Sequence, residues 1–316
     1  MNFSILLVLK DRSNYTMRLM NKWNAEKFPY KIWIADGGKD HRVELALLNK
    51  QNFENLNYEY IRYPFDATLE DFYKKMASAV MKIDTDTTLL MDNDDFIDVD
   101  GINKCVEILN DHSYCSARGL MQDMQGNNMY SLYPDSITGN SAAERVVEQT
   151  KKFHSNWHNV ARTKYIQAMW KIIQIANPQN FRIVEQSTCY LNTVFGNSYR
   201  GDFPWMHHEY SQRIQLSSGD LGAHFPAQES WINSNYWLEE FNKLTEIVGA
   251  AISYHDQIPI EEGLKIFREC YHFKLPDLKD LLDTRISQAF DLGYNYNKID
   301  QMLQIMTDLN IEKAER

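Results

Sequence analysis

The sequence has few cysteines, a shortage of positive charge and no long apolar run, and each of these narrows what the chain is. Four cysteines, Cys105, Cys115, Cys189 and Cys270, are scattered over 316 residues, with no C-x-x-C pair and no local Cys/His cluster. Neither a disulfide framework nor a zinc site is indicated, and reduced thiols are the simple reading. Lys and Arg number 33 against 43 Asp and Glu, a formal charge of −10, which argues against a nucleic-acid partner. No apolar stretch approaches the roughly 18 residues that span a bilayer. The N-terminus lacks the basic start and long apolar run of a secretory signal. Neither an internal repeat nor a low-complexity tract is present. The expectation is a cytoplasmic protein.

What is present is ordinary globular usage, 44% hydrophobic and 24% charged, in a chain long enough for about two domains. Aromatic residues reach 13%; such rings suit cores, and they also suit clefts where sugars or bases stack.

The first part of the chain alternates strand and helix patterns. Strands are predicted at Phe3–Lys10, Tyr30–Ala35, Tyr58–Tyr63, Thr87–Met91 and Tyr114–Ala117. Between them, helical spacing of apolar residues marks Ser13–Lys27, Val43–Leu48, Thr68–Ile83 and Val99–Leu109. Thr68 followed by Asp71 forms a capping-box start. This order specifies a mostly parallel sheet, whose ligands sit beyond the C-terminal ends of the strands. The polar clusters Asp11-Arg12, Asp36-Gly37-Gly38 and Asp92-Asn93-Asp94 occupy those ends. Gly37 and Gly38 are expected to supply unusual dihedrals to the turn that Asp36 caps. Residues 119–141 read as a long loop, Trp157–Arg162 as strand or loop, and Lys164–Ala176 and Val184–Phe195 as helices. Four further amphipathic helices, Tyr236–Ile252, Ile260–Tyr271, Asp277–Leu292 and Ile299–Leu309, form a C-terminal extension, with Gly293 as a helix stop.

Asp92-x-Asp94 follows the apolar strand Leu89-Leu90-Met91. Alternate residues at a strand end place both carboxylates on one side. Two hard oxygen ligands suit Mg²⁺ or Mn²⁺, which also bind a substrate's phosphates. The competing reading is a solvated turn or an N-cap cluster for the next helix.

Four segments, SILLVLKDR (4–12), PYKIWIADGG (29–38), YEYIRYP (58–64) and TDTTLLMDNDDFIDVDGI (85–102), together resemble the nucleotide-sugar half of GT-A glycosyltransferases, in particular the bacterial family-2-like group. The resemblance covers about the first 120 residues and continues more loosely through 157–163 and 185–200. The family's Pro-Thr-Tyr-Asn after the first strand is Val8-Leu9-Lys10-Asp11 here. The implied fold is a Rossmann-like, mostly parallel α/β sheet with a C-terminal helical extension. The implied division is a glycosyltransferase domain over 1–226, with a nucleotide-sugar half at 1–118 and an acceptor half at 119–226, then helices over 227–316.

By that resemblance Asp36 reads the base of a nucleoside diphosphate, Asp92 and Asn93 lie on the donor, Arg12 contacts phosphate and Asp94 ligates Mn²⁺ or Mg²⁺. Asp66 has a weaker claim. A late histidine as a further metal ligand falls on His207 of the His207-His208 pair, with His224 as a rival. Glu185 is the expected base that takes the acceptor's proton, with Asp202 and Glu209 as rivals. Trp157, His158 and Trp205 are candidates to stack on a sugar. The expected reaction is inverting transfer of a sugar from a UDP- or GDP-linked donor to a glycan, lipid-linked or protein acceptor, in the cytoplasm or at the inner membrane face. A homodimer through the C-terminal helices is a further expectation. The alternatives are a sugar nucleotidyltransferase, which Leu9-Lys10-Asp11-Arg12 disfavours by lacking glycine, and a non-catalytic module on the same scaffold.

Overall fold

In the computed structural model, residues 1–313 are described apart from 112, 125, 128–134, 154, 156 and 209–227. The strands are β1 (Phe3–Leu9), β2 (Lys31–Asp36), β3 (Tyr58–Arg62), β4 (Thr87–Met91), β5 (Phe96–Ile97), β6 (Tyr114–Asp123), β7 (Val160–Arg162) and β8 (Asn197–His208). The helices are α1 (Ser13–Glu26), α2 (His41–Leu48), α3 (Leu69–Val80), α4 (Val99–Asn110), α5 (Ala142–Lys151), α6 (Thr163–Ala176), α7 (Phe181–Val194), α8 (Gln228–Asn233), α9 (Asn235–Asp256), α10 (Ile260–Cys270), α11 (Lys279–Asp291) and α12 (Tyr296–Asp308).

The strands form one sheet in the order β3-β2-β1-β4-β7-β6-β8-β5. Pairings β3-β2, β2-β1 and β1-β4 are parallel. β7 is antiparallel to both β4 and β6, so β6 runs in the same direction as β4. The result is the predicted Rossmann-like α/β sheet. The register sets Leu9 opposite Asp36 and Asp36 opposite Arg62, so the ends of three neighbouring strands line up in a row.

The central strand β1 is buried on both faces, as parallel strands are when helices cover them. Ile5, Leu7 and Leu9 join Ile32, Ile34, Leu19, Met20 and Trp23 in one core, each such side chain contributing about 1.5–3 kcal/mol by leaving water. Helix α3 starts as its sequence specifies. Thr68 Oγ1 accepts the Asp71 amide and the Asp71 carboxylate accepts the Thr68 amide.

The chain divides into two compact units: Met1–Asp135 with His158–Gln167 and Tyr199–Ser217, and Ser136–Trp157 with Ala168–Ser198 and Ser218–Arg316. The predicted boundary between 226 and 227 falls outside the described residues. The second unit is helical around α9, which crosses α10 at Gly249 and Gly263. A Cβ on Gly263 would stand 2.4 Å from the Gly249 carbonyl oxygen, and one on Gly249 2.7 Å from Leu264 Cα. Its aromatic core includes Trp237 stacked on Phe241 at 4.7 Å and Tyr190 edge-on to Phe267 at 4.9 Å. Gly293 follows α11 at φ 77°, as a helix stop requires. All four cysteines are buried, and none is in a disulfide. Among the described residues, no helix is long and apolar enough to cross a membrane.

Three expectations are corrected. β8 is a 12-residue strand where the sequence reading placed none, because Gly201 and Pro204 interrupt its apolar pattern. β6 runs six residues past its predicted end, to Asp123, into the segment read as a loop. Gly37 and Gly38 do not adopt the left-handed region. They are required for space: a Cβ on Gly37 would lie 2.5 Å from the Asp66 carboxylate, and one on Gly38 2.5 Å from the Asp11 amide nitrogen.

Candidate active site

The first unit gathers its polar groups at the C-terminal ends of β1, β2, β3 and β4. Asp36 ends β2 and is only 2% exposed. Its Oδ1 accepts the Gly38 amide at 2.8 Å, and its Oδ2 accepts the Tyr60 hydroxyl at 2.8 Å and Arg62 NH1 at 2.7 Å. Tyr60 and Arg62 alternate on β3 and therefore share a face. Burial, then the hydrogen bond to Asp36, holds the Tyr60 phenol protonated. Asp36 is thus the shared acceptor at the centre of a three-donor seat. Sequence reasoning missed Tyr60 and Arg62, although a polar Tyr-x-Arg closing a strand beside Asp36 was the available signal.

Beneath this seat lies Asp66, fully buried and ion-paired with Lys75 of α3. Lys75 Nζ also donates to the Leu9 carbonyl at 2.9 Å, while the Asp66 amide donates to the Gly37 carbonyl at 2.9 Å. One buried ammonium thus ties the end of β1 and the turn after β2 to α3. Burial pushes Asp66 up and Lys75 down, and each opposes the shift of the other.

The acidic turn follows β4. Asn93, Asp94 and Asp95 are buried and Asp92 is half-buried. Arg12 reaches across from the end of β1. Its Nε and NH2 donate to Asn93 Oδ1 at 3.1 and 2.6 Å, and NH2 lies 2.7 Å from Asp94 Oδ2. Asn93 Nδ2 donates to Thr16 Oγ1 at 2.9 Å and to the Arg12 carbonyl at 3.4 Å. Arg12 and the preceding Asp11 both have φ 56°, a conformation that costs non-glycine residues about 1–3 kcal/mol each. Asp11 Oδ1 accepts the amides of Lys39 and Asp40 at 2.6 and 3.1 Å, which holds the turn in place. Helix α1 starts directly after Arg12, with no side-chain cap and no acidic residue in its first turn. Beside it, Arg12, Lys39 and Arg42 outnumber Asp11 and Asp40 around a depression of about 450 Å³.

Asp95 faces two histidines. Its Oδ1 lies 2.5 Å from His208 Nδ1, and its Oδ2 lies 3.5 Å from His158 Nε2. Asp95 Oδ2 is buried and makes no hydrogen bond among the described residues. His158 Nδ1 is 3.2 Å from the Leu90 carbonyl oxygen. The bond to Asp95 pushes His208 up. Burial, then repulsion from Asp92 and Asp95, pushes the Asp94 carboxyl up to about 6, against the opposing pull of Arg12. Burial likewise raises Asp92, with His158 and Arg12 opposing and Asp95 reinforcing.

Arg12, Asp36, Asp92, Asn93 and Asp94 therefore all stand at the ends of neighbouring strands. His207 is registered opposite Phe96 on β5, and its neighbour His208 is the histidine that meets Asp95. His158, considered for stacking, serves the same aspartate. Trp205 is 1% exposed and belongs to the core, and Trp157 packs against Trp170 and Phe181 at 5.7 and 5.6 Å. Asp202 is exposed on β8. Glu185 is half-buried on α7 in the second unit, with Arg182 and Lys274 among its charged neighbours. Glu209 and His224 lie outside the described residues.

Among the described residues, no three His, Cys, Asp or Glu side chains converge as a ready metal cage. The donors that are present, hard carboxylate oxygens in a crowded acidic turn with one buried oxygen lacking a hydrogen bond, fit Mg²⁺ or Mn²⁺. These ions take one or two protein carboxylates and fill the remaining positions with phosphate oxygens and water.

No family model matches the sequence, and a search of curated proteins finds no match. The fold does have relatives. S. aureus TarS matches at 11% identity and a TM-score of 0.55, over 97% of this chain and 53% of that one, so this chain spans about half of the TarS chain. S. aureus TarS 1-349 in complex with UDP-GlcNAc matches at 12% identity and 0.56, over 98% and 80%. GalNAc-T7 with UDP, GalNAc and Mn²⁺ matches at 13% identity and 0.50, over 99% and 55%. This chain therefore has a fold similar to those of TarS and GalNAc-T7.

Proposed function

We propose that the chain is a metal-assisted, inverting glycosyltransferase that moves a sugar from a UDP- or GDP-linked donor to a hydroxyl of a glycan, lipid-linked or protein acceptor. One observation carries this reading. The Asp36 seat and the Asp92–Asp95 turn stand at the ends of the parallel strands that flank β1, in a fold similar to those of proteins crystallised with UDP-GlcNAc and with UDP, GalNAc and Mn²⁺.

Asp36, Tyr60 and Arg62 form the base end of the donor seat. Their mutual bonds leave Asp36 Oδ1 free to accept one more donor. The cations around the depression at Arg12 and Lys39 suit the diphosphate. Asp94 and Asp92 would hold the Mn²⁺ or Mg²⁺, with His208 fixing the neighbouring Asp95. When bound, the metal neutralises charge on the departing diphosphate. Asn93 and Thr16 keep the turn and α1 in one arrangement, so the carboxylates need no reorganisation on loading. Glu185 is assigned as the general base for the acceptor hydroxyl.

Calorimetric titration with UDP and GDP, with and without Mn²⁺, tests the reading. Metal-dependent binding of one nucleotide and slow hydrolysis of its sugar conjugate are expected. Absence of binding to either nucleotide in the presence of Mn²⁺ sinks the proposal and leaves the non-catalytic module. Glu185→Gln is expected to lower transfer at least a hundredfold while the same titration returns wild-type donor affinity. Lost donor affinity in that variant removes Glu185 from the role of base.

A further inference from the structure

We propose that Arg12 is the built-in counter-cation of Asp94, and that a divalent ion loads only by displacing its guanidinium, which then passes to the donor's diphosphate. This rests on the glycosyltransferase reading and adds an order to it: cation and nucleotide enter as a coupled pair.

The guanidinium of Arg12 lies over the Tyr15 ring at 5.4 Å, and its hydrogen bonds and ion pair are directed at the acidic turn. NH2 is 2.7 Å from Asp94 Oδ2, and NH2 and Nε share Asn93 Oδ1 at 2.6 and 3.1 Å. The Asn93 amide is itself oriented, since its Nδ2 donates to Thr16 Oγ1; turning it over would present a donor to the guanidinium. The backbone supports the same placement. Asp11 and Arg12 are both left-handed, and Asp11 is held by two amides of the turn after β2. Consecutive non-glycine residues adopt this conformation only where surrounding structure imposes it. Here the consequence is a cation delivered to Asp94.

Arg12 NH2 stands 2.7 Å from Asp94 Oδ2, so a divalent ion taking that oxygen would meet the guanidinium at the same atom. Like charges at that range repel strongly in a partly buried site, so Arg12 must leave. A guanidinium anchored at the end of β1 keeps its fork free for a phosphate, which it fits in bidentate fashion. By linkage, metal and diphosphate then raise each other's affinity by the same factor.

The test is Mn²⁺ titration, without and with UDP or GDP, of the wild type, Arg12→Gln and Arg12→Lys. Without nucleotide, Arg12→Gln is expected to bind Mn²⁺ about tenfold tighter than the wild type, and its nucleotide–metal coupling to fall by about tenfold. Arg12→Lys, which keeps the charge and loses the fork, should stay near wild type for Mn²⁺ alone. Unchanged or weaker Mn²⁺ binding by Arg12→Gln overturns this proposal and leaves the glycosyltransferase reading standing. Absence of Mn²⁺ binding by every variant, with and without nucleotide, overturns both. A metal-free cycle checks the ion pair separately. Arg12→Gln is expected to lower the Tm in the wild-type background and to lower it less in Asp94→Asn; equal losses in both overturn the pairing.

Discussion

Lys75→Met is expected to cost about 3–5 kcal/mol of unfolding free energy, the range for breaking a buried ion pair from one side. Lys75 is 2% exposed and Asp66 0%. Asp66 Oδ1 already lacks a hydrogen bond among the described residues, so removing the ammonium strands the whole carboxylate and leaves the Leu9 carbonyl with the Gly37 amide as its remaining donor. The pH dependence has a definite sign. Asp66 is already pushed above its usual range by burial, and Lys75 is the chief group holding it down; without Lys75 it rises further. A carboxyl raised in the folded state destabilises only as pH climbs from its unfolded value toward its folded one. The deficit of Lys75→Met should therefore be smaller near pH 5 than at pH 8. Urea midpoints at the two pH values measure this, and a variant as stable as the wild type at pH 8 would remove the pair from the account of stability. The double variant Lys75→Met/Asp66→Leu should recover part of the loss. Because the pair also fixes Gly37 and Leu9, the single variant should weaken nucleotide binding as well.

Asp94→Asn is expected to lower turnover by three orders of magnitude or more and, at pH 7.5 without metal, to raise stability. The Asp94 carboxyl is pushed up to about 6 by burial and by its two aspartate neighbours. A raised carboxyl contributes nothing adverse below about pH 4 and its full penalty above about pH 6. From 3.8 to about 6 is roughly two units, which sets about 3 kcal/mol as the upper bound of the gain on neutralisation. Loss of the charge partner of Arg12 reduces it, leaving about 1–2 kcal/mol. Thermal unfolding at pH 7.5 and pH 4.5, beside a transfer assay, reads both effects. A variant that stays active, or that gains the same stability at both pH values, contradicts this account of the turn. A residue whose removal stabilises the fold and abolishes turnover is kept for chemistry rather than for folding.

Much of the sheet half was legible in the sequence because its signals are local. Apolar runs bounded by Asp, Gly and Pro mark β1 to β4, and Thr68 with Asp71 states where α3 begins. The acidic turn was legible for the same reason, since three aspartates within four residues after a buried strand stand out. The partners were not. Tyr60 and Arg62 belong to another strand from Asp36, and only the parallel register brings them together. His158 and His208 are more than 60 residues from Asp95 in the chain, and the choice of His208 over His207 depends on which face of β8 each occupies. β8 itself was hidden by a glycine and a proline that an interior strand ordinarily excludes. Buried pairs such as Lys75–Asp66 leave no trace in periodicity, because a lysine on a helix reads as a solvent-facing residue until its neighbours are known.

A helix opening on Ser, Thr, Asp or Asn gains about 1 kcal/mol from the side chain that accepts its first amides. The position before Ser13 belongs instead to Arg12, whose side chain cannot accept a hydrogen bond. Its left-handed backbone also departs from the extended conformation a capping residue takes. On the proposed function, a conventional first turn and a guanidinium aimed at the acidic turn make opposite demands on this one position.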